Sequence, residues 1–301
     1  MIVDVHAHYY PTAYLERIGR PELPPVGSAP LRDHSVDERL ELLDRSGIDI
    51  QVLSVSQAQP YLPNATDAAD AAKLGNDLYV DLCQACPGRF FTLAALPLPH
   101  VDESLAEIDR VWDDQHVVGV TIGCTVNDVH LDDPALEPVY AELGHRRASV
   151  LLHPRGERCV VDGGDYNLNW LVGAPFEDTI AALRLAMSGV ADRHPDIQFI
   201  IPHLGGTMPF ILARVLRMTG GRGGEALHRM YYDTVSGSVE GLKCACDYWG
   251  PERLLFGTDY PYSDVGEFER RLTYLDDAGI DDSQLEQIRG TRAMELLQIK
   301  T

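Results

Sequence analysis

Eight short apolar runs, separated by stretches of helical periodicity, constrain the fold of this chain more than any other feature. Most of the runs are continuously apolar and do not alternate, which is typical of strands buried on both faces of a parallel sheet. Parallel neighbours require crossover connections, and intervening helices supply them. The predicted strands are residues 2–6, 50–55, 91–96, 118–122, 150–153, 198–202, 230–233 and 254–257.

The alternating pattern predicts an α/β fold, a (β/α)8 TIM barrel. With 301 residues the chain fits one such domain, since these barrels commonly run to ~250 residues or more, so we predict a single domain over residues 1–301. Two loops rich in glycine or proline are expected at residues 20–32, over the barrel mouth, and 220–224. The predicted helices are residues 36–46, 68–86, 103–113, 176–193, 267–278 and 282–297.

The charge balance argues against nucleic acid as a partner. The chain has 25 Lys and Arg against 46 Asp and Glu, a formal net charge of -21, whereas phosphate backbones are bound by Lys and Arg. No apolar run approaches the ~20 residues that span a bilayer, so we expect no membrane segment. The N-terminus does not have the basic and apolar regions of a signal peptide. We therefore expect a cytoplasmic protein.

Six cysteines raise the question of a redox or zinc motif, because Cys83 and Cys86 have the C-x-x-C spacing. A zinc ribbon requires a second pair with similar spacing, and Cys244 and Cys246 are separated by one residue only. Cys83 and Cys86 also stand at the predicted end of a helix. We interpret them as structural thiols in a reducing compartment.

Ligand-type residues end four of the eight predicted strands. His6 and His8 end the first, His153 the fifth and His203 the sixth, and Asp259 follows the eighth. The active site of such a barrel lies at these carboxyl ends, and residues two apart on a strand share a face. His-x-His alone is equally compatible with structural histidines. The joint pattern predicts a divalent metal site, because burying several imidazoles and a carboxylate without a cation is costly; a hydrogen-bonded polar cluster is the alternative.

At these motifs the sequence resembles a known family over nearly its whole length. It is similar to the amidohydrolase-related proteins, and among them to the branch of 2-amino-3-carboxymuconate-6-semialdehyde decarboxylase. The resemblance implies a barrel of the metal-dependent hydrolase type. The residues that carry it, besides the His-x-His opening, are 37–40, 119–123, 169–177, 203–206 with Pro209 and Phe210, and 257–261.

The resemblance implies roles for the strand-end residues. His6, His8, His153 and Asp259 match the family's metal ligands, and His203 matches its general base, which acts together with Asp259 in moving a proton. Some relatives carry Glu-x-His at the first motif, often with manganese. The retained His6 favours Zn²⁺, since borderline-soft ions prefer imidazole, with Mn²⁺ or another divalent ion as the alternative.

The same resemblance implies substrate roles for three further residues. Arg39 matches an arginine that meets a substrate carboxylate. Arg214 matches one that a neighbouring subunit lends to the pocket, which implies a homodimer. Trp170 is a candidate for an aromatic wall. Surface salt bridges and simple packing are the alternatives for these positions. The remaining histidines, at positions 34, 100, 116, 130, 145, 194 and 228, are interpreted as surface or structural.

The branch implies a non-oxidative decarboxylase, a carbon–carbon lyase that acts on a small unsaturated or aromatic carboxylic acid without an organic cofactor. The same barrel and metal site also support hydrolysis of an amide or lactone and hydration of an unsaturated acid, because fold does not determine chemistry. A binding module with a structural zinc is the non-enzymatic alternative. Structural zinc sites are usually closed and rich in cysteine, which disfavours it.

Overall fold

A computed structural model describes residues 1–20, 35–156, 166–262 and 265–300. Its sheet contains eight parallel strands in sequence order, so each strand pairs with the next along the chain. The strands are β1 Val3–His8, β2 Ile50–Ser54, β3 Phe90–Ala95, β4 Val117–Gly123, β5 Ser149–His153, β6 Gln198–Ile201, β7 Tyr231–Asp233 and β8 Leu254–Leu255.

The sheet closes on itself between its first and last strands. The Val5 amide donates to the Phe256 carbonyl at 2.9 Å, and the Asp259 amide donates to the His6 carbonyl at 2.7 Å. A parallel bridge joins Ala7 to Tyr260 at the carboxyl end. The predicted (β/α)8 barrel is thereby confirmed, and the ends of β1 and β8 are held side by side.

Helices follow the strands around the barrel. Most of them bury one apolar face against the sheet, as amphipathic surface helices do. They are α1 Thr12–Arg17, α2 Val36–Ser46, α3 Ala65–Ala85, α4 Val101–Val111, α5 Glu137–His145, α6 Ala174–Met187, α7 Val190–Arg193, α8 Met208–Thr219, α9 Gly224–Arg229, α10 Val239–Trp249, α11 Val265–Thr273, α12 Asp282–Glu286 and α13 Arg292–Leu296.

Several predicted helix boundaries differ from the structure. The helix predicted over 176–193 is two helices, because Gly189 adopts a left-handed φ of 85° between α6 and α7. The helix predicted over 282–297 contains a π-helical segment at Gln287–Thr291. The helix predicted over 267–278 ends at Thr273. Of the predicted loop at 20–32, only Arg20 lies within the described residues, and His34 lies outside them.

The two thiols of the C-x-x-C motif are free. Cys83 is fully buried in the hydrophobic core on the inner face of α3, and Cys86 is the residue that follows this helix. Their environment agrees with structural thiols. Among the described helices, none combines the length and apolarity needed to cross a bilayer.

Candidate metal centre and catalytic site

The four predicted metal ligands converge at the carboxyl end of the barrel. His6, His8, His153 and Asp259 each offer one ligand atom, and these atoms all lie within 4.8 Å of one another. β1 contributes two of them and β5 one, while Asp259 follows β8. The barrel closure described above brings Asp259 beside His6. The three imidazoles are buried and the carboxylate is nearly so.

Each imidazole has its Nδ1 hydrogen-bonded to an oxygen and its Nε2 turned inward. His6 Nδ1 donates to Asp233 Oδ2 at 2.6 Å. His8 Nδ1 lies 2.9 Å from Ser54 Oγ, and His153 Nδ1 donates to the Pro154 carbonyl at 2.8 Å. Outer partners of this kind fix the tautomer of a metal-binding histidine. The Nε2 lone pairs are therefore available to an ion.

The inward-facing atoms are close enough to require a positive charge between them. His6 Nε2 lies 3.0 Å from His8 Nε2, and both approach Asp259 Oδ1, at 3.3 and 3.0 Å. Two nitrogen lone pairs at such a distance repel unless a proton or a metal ion lies between them. The donor set, three imidazoles and a carboxylate, is one that binds zinc-type ions. These residues fit a divalent metal.

The pKa values of the ligands lead to the same conclusion. Burial alone would lower the pKa of His6, but the carboxylates of Asp233 and Asp259 outweigh it and raise this pKa to about 9. Burial lowers the pKa of His8 well below its usual value. The pKa of Asp259 lies well below its usual value, because the surrounding histidines outweigh its burial. Without a metal the cluster therefore holds a proton on His6, in the place that a cation would take.

His203 stands beside the ligand set and is not one of the four converging donors. Its Nδ1 donates to Asp178 Oδ2 at 2.8 Å, and its Nε2 lies 3.7 Å from Asp259 Oδ2. The negative charge of buried Asp178 contributes to raising the pKa of His203 well above its usual value, against the effect of burial. The imidazole is thus oriented by one carboxylate and presents its other nitrogen to the metal centre.

The backbone at His203 is unusual and explains the glycines that follow it. His203 and Leu204 have left-handed φ values of 54° and 59°, which non-glycine residues rarely adopt. Gly206 has φ 65°, and a Cβ there would lie 2.0 Å from the Pro175 carbonyl oxygen. The turn therefore packs directly on the start of α6, the helix that carries Asp178.

A cavity of about 180 Å³ opens next to these residues. His153, His203 and Asp259 form its polar side. Trp170 lies at the cavity, and its ring packs against Gly156; its role as an aromatic wall for a substrate stays a prediction. The other walls include Leu171, Ala174, Pro175, Tyr262 and Arg271. A larger cleft of about 730 Å³ lies near the amino ends of β4 and β5 and contains none of the predicted ligands.

Arg39 is not among the described residues that line this cavity, and its contact with substrate stays a prediction. Its side chain is buried, Nη1 donates to Gln51 Oε1 at 2.9 Å, and Nη2 donates to the His8 carbonyl at 2.5 Å. The guanidinium also lies over the Tyr260 ring, 4.6 Å from its centre. Two of its nitrogens are thus engaged behind β1, where Arg39 supports a ligand strand. This geometry gives no support to a substrate contact.

Arg214 lies on an exposed part of α8 and does not line the cavity of its own chain. Phe210, one helical turn earlier, is 87% exposed. The role of Arg214 in a neighbouring subunit remains a prediction.

The structure adds site residues that sequence reasoning missed. Asp233 ends β7 and accepts hydrogen bonds from His6 Nδ1 and from the His203 amide; its position at a predicted strand end could have identified it. Asp178 lies within α6, where no strand-end pattern applies. Tyr262 and Arg271 follow β8 and reach the cavity only through the fold of that segment.

The closed barrel and its centre of four ligand residues define the structural class of this protein. The family described as Amidohydrolase matches residues 3–299, and the chain belongs to that family. The resemblance to the decarboxylase branch is confirmed by its curated relatives. The 2-amino-3-carboxymuconate-6-semialdehyde decarboxylase of Dictyostelium discoideum is 29% identical over 273 residues, covering 87% of this chain and 76% of the relative.

A second curated relative and two solved structures are also similar to this chain. Gamma-resorcylate decarboxylase of Rhizobium sp. (strain MTP-10005) is 26% identical over 291 residues, covering 87% of each chain. The apo structure of Metarhizium anisopliae IDCase has a TM-score of 0.88 and 26% identity, and covers 100% of this chain and 98% of its own. A dihydroxybenzoic acid decarboxylase from Polaromonas sp. JS666, solved with bound manganese, shares the fold with a TM-score of 0.85 at 21% identity, covering 99% and 97%.

Proposed function

We propose that this protein is a metal-dependent, non-oxidative decarboxylase of a small unsaturated or aromatic carboxylic acid. The observation that carries the proposal is His203, fixed by Asp178, with its Nε2 turned toward Asp259 at the wall of a cavity of about 180 Å³. A cavity of ~150 Å³ is known to hold benzene, so this space suits a single-ring substrate. The curated relatives named above are decarboxylases.

His6, His8, His153 and Asp259 would hold the metal. When bound, a divalent ion supplies a Lewis acid that polarises an oxygen of the substrate. The three imidazoles favour Zn²⁺ by ligand preference. Mn²⁺ is the alternative, and it is the ion named for one protein of the same fold.

His203 holds the proton that the reaction consumes. Its Nδ1–H stays donated to the Asp178 carboxylate, so the proton that moves is the one on Nε2. Decarboxylation places this proton on the carbon that bears the carboxylate. The bond from that carbon to the carboxylate then breaks, CO₂ leaves, and the electron pair of the broken bond restores the unsaturated system.

We also propose that the protein works in the cytoplasm as a homodimer, with a small carboxylate as its partner and no nucleic acid. The dimer is supported by exposed apolar side chains near the cavity, among them Leu171, Phe176 and Phe210.

A substrate panel tests the proposal. Metal-stripped protein is reloaded with Zn²⁺ or Mn²⁺ and offered carboxymuconate and hydroxybenzoate acids, with lactones and amides alongside. We expect CO₂ release from at least one acid that depends on the added metal and is lost in His203→Asn. Metal-dependent hydrolysis of a lactone or amide, with no CO₂ from any acid, would reject the decarboxylase in favour of a hydrolase.

A further inference from the structure

Arg271 is a cation at the cavity that the proposed reaction does not use. It lies in α11 and lines the same space as His153, His203 and Asp259. Its side chain is 12% exposed. Burying a guanidinium costs free energy unless an opposite charge and hydrogen-bond acceptors surround it. The contacts of Arg271 therefore indicate whether acceptors for it are supplied by the protein or by a ligand.

Only some of the N–H donors of this guanidinium have an acceptor among the described residues. Nη1 donates to the Thr258 carbonyl in a close contact. Nε has no hydrogen-bond partner among the described residues, since Glu267 Oε1 lies 3.6 Å from it. Nη2 likewise donates to no described side chain or carbonyl. An arginine offers five N–H donors in a planar fork, and most of those of Arg271 remain for a ligand.

The hydrogen bond that Arg271 donates to Thr258 is informative about the position of the guanidinium. Thr258 directly precedes Asp259, so the same short segment carries a metal ligand and anchors the guanidinium. Thr258 is itself fixed, because its amide and hydroxyl both donate to buried Asp4, at 3.0 and 2.6 Å. The cation is therefore held at a set place relative to the metal centre before any ligand arrives, which reduces the entropy lost on binding.

We propose that Arg271 binds the carboxylate of the substrate and thereby makes the site prefer an acid over its decarboxylated product. This inference rests on the function proposed above. The planar fork matches a carboxylate in a bidentate manner. The product has lost that group and with it the contact, so it leaves more easily. Because the pair stabilises the charged ground state, it contributes to KM more than to kcat.

Matched ligand pairs test this by equilibrium binding in a His203→Asn background, which we expect to keep the metal and to slow turnover by roughly 100-fold or more. Calorimetry on metal-loaded protein compares 2,6-dihydroxybenzoate with resorcinol and salicylate with phenol, and the ratio of the two Kd values in each pair is the readout. In Arg271→Gln we expect this preference for the acid to fall roughly tenfold to a hundredfold, the size of a hydrogen bond to a charged group. Arg271→Lys, which keeps the charge, should retain part of it. Arg270→Gln, at the exposed neighbouring position, should leave it unchanged.

The outcomes separate the two proposals. If Arg271→Gln weakens the acid and its neutral counterpart equally, Arg271 only supports Thr258 and the inference is overturned. It is also overturned if no acid binds the unmodified protein more tightly than its neutral partner. A failure of the decarboxylase function would appear instead as tight, Arg271-dependent binding of acids without release of CO₂ from any of them.

Discussion

At the scale of single residues, substitutions of His203 and Asp178 should reduce catalysis without reducing metal binding. We expect His203→Asn to keep the metal and to lose roughly 100-fold to 10,000-fold in kcat, the usual contribution of a general acid or base. Asp178→Asn should lose roughly 10-fold to 100-fold, because it disturbs the orientation and protonation of His203 without removing the imidazole. Elemental analysis alongside kcat measures both.

Two comparisons make this result decisive. His153→Ala removes a ligand and should lower the metal content together with the rate. Asp196→Asn, at an exposed position, should change neither. Loss of metal from His203→Asn in proportion to its activity would show that His203 is a ligand, and the decarboxylase interpretation would then lose its proton carrier.

The proton held by His6 predicts how the metal-free protein responds to pH. The pKa of His6 is about 9 in the folded chain, above the ~6.5 of an unfolded histidine. The stabilisation that results is fully present below the unfolded value and is lost as the pH rises through about 9. Between about pH 6.5 and about pH 9.5 we expect the unfolding free energy of metal-stripped protein to decrease by an amount on the order of a few kcal/mol. Its Tm should fall accordingly.

Metal removes this dependence, because the ion replaces the proton at the cluster and binds more tightly as the protons leave. The Tm of protein loaded with Zn²⁺ should therefore change less over the same range. In His6→Gln the metal-free Tm should fall less over this range, and His203, whose pKa is also raised well above its usual value, should account for the fall that remains. An equal fall in the unmodified protein and in His6→Gln would assign the effect to other groups.

At the scale of elements, residues that end strands could be predicted and residues brought in from helices could not. A strand places its last residues at a known end of the barrel, so His6, His8 and His153 were identifiable from position and chemistry. Asp178 lies in the middle of α6 and meets His203 only because the left-handed turn after β6 packs on that helix. No local pattern specifies such a contact.

The helix α2 illustrates that a motif can be recognised in the sequence without showing where its side chain lies. Arg39 occurs where the family resemblance suggested a substrate contact, yet helical periodicity alone could not show that its side chain turns under β1. There it donates to Gln51, which donates to Asp4 at 2.8 Å, and Asp4 accepts from Thr258. This buried chain of polar groups ties α2 to β1, β2 and the segment after β8.

The chain of polar groups predicts that Arg39 contributes to stability. Arg39→Met keeps the length of the side chain but leaves the Gln51 oxygen and the His8 carbonyl without their donors. We expect a loss of roughly 2–5 kcal/mol in unfolding free energy, measured by urea denaturation. Arg45→Met, on the exposed side of the same helix, is the control and should be nearly neutral. Unchanged stability with a higher KM in Arg39→Met would instead restore the predicted role in substrate binding.

At the scale of the whole molecule, a group of exposed apolar side chains lies beside the cavity. We call it the apolar face; it consists of Leu171, Val172, Phe176, Ile180, Phe210 and Met218, between 38% and 87% exposed. It spans the segment before α6, α6 itself and α8. Leu171 also lines the cavity. Groups of exposed apolar side chains are typical of interaction sites, and in the proposed dimer a second copy of the chain would cover this face.

A charge placed in the centre of the apolar face should prevent the assembly. Phe210 is 87% exposed, so Phe210→Asp should leave the fold of the single chain intact while opposing burial of that position. We expect light scattering to show a dimer for the unmodified protein and a monomer for Phe210→Asp. Lys73→Asp, which places a carboxylate at an exposed position on α3 outside the apolar face, should remain dimeric.

Mixing two inactive variants tests whether Arg214 acts across the interface. In a dimer of one His203→Asn chain and one Arg214→Gln chain, the cavity with an intact His203 would receive Arg214 from its partner. Random reassortment makes half of the molecules mixed, each with one complete cavity, so about a quarter of the original activity should return on mixing. An arginine that serves its own chain cannot be complemented in this way, because each cavity then carries one defect. Full activity of Arg214→Gln alone, or no recovery from a mixture shown to contain mixed dimers, would contradict the shared site.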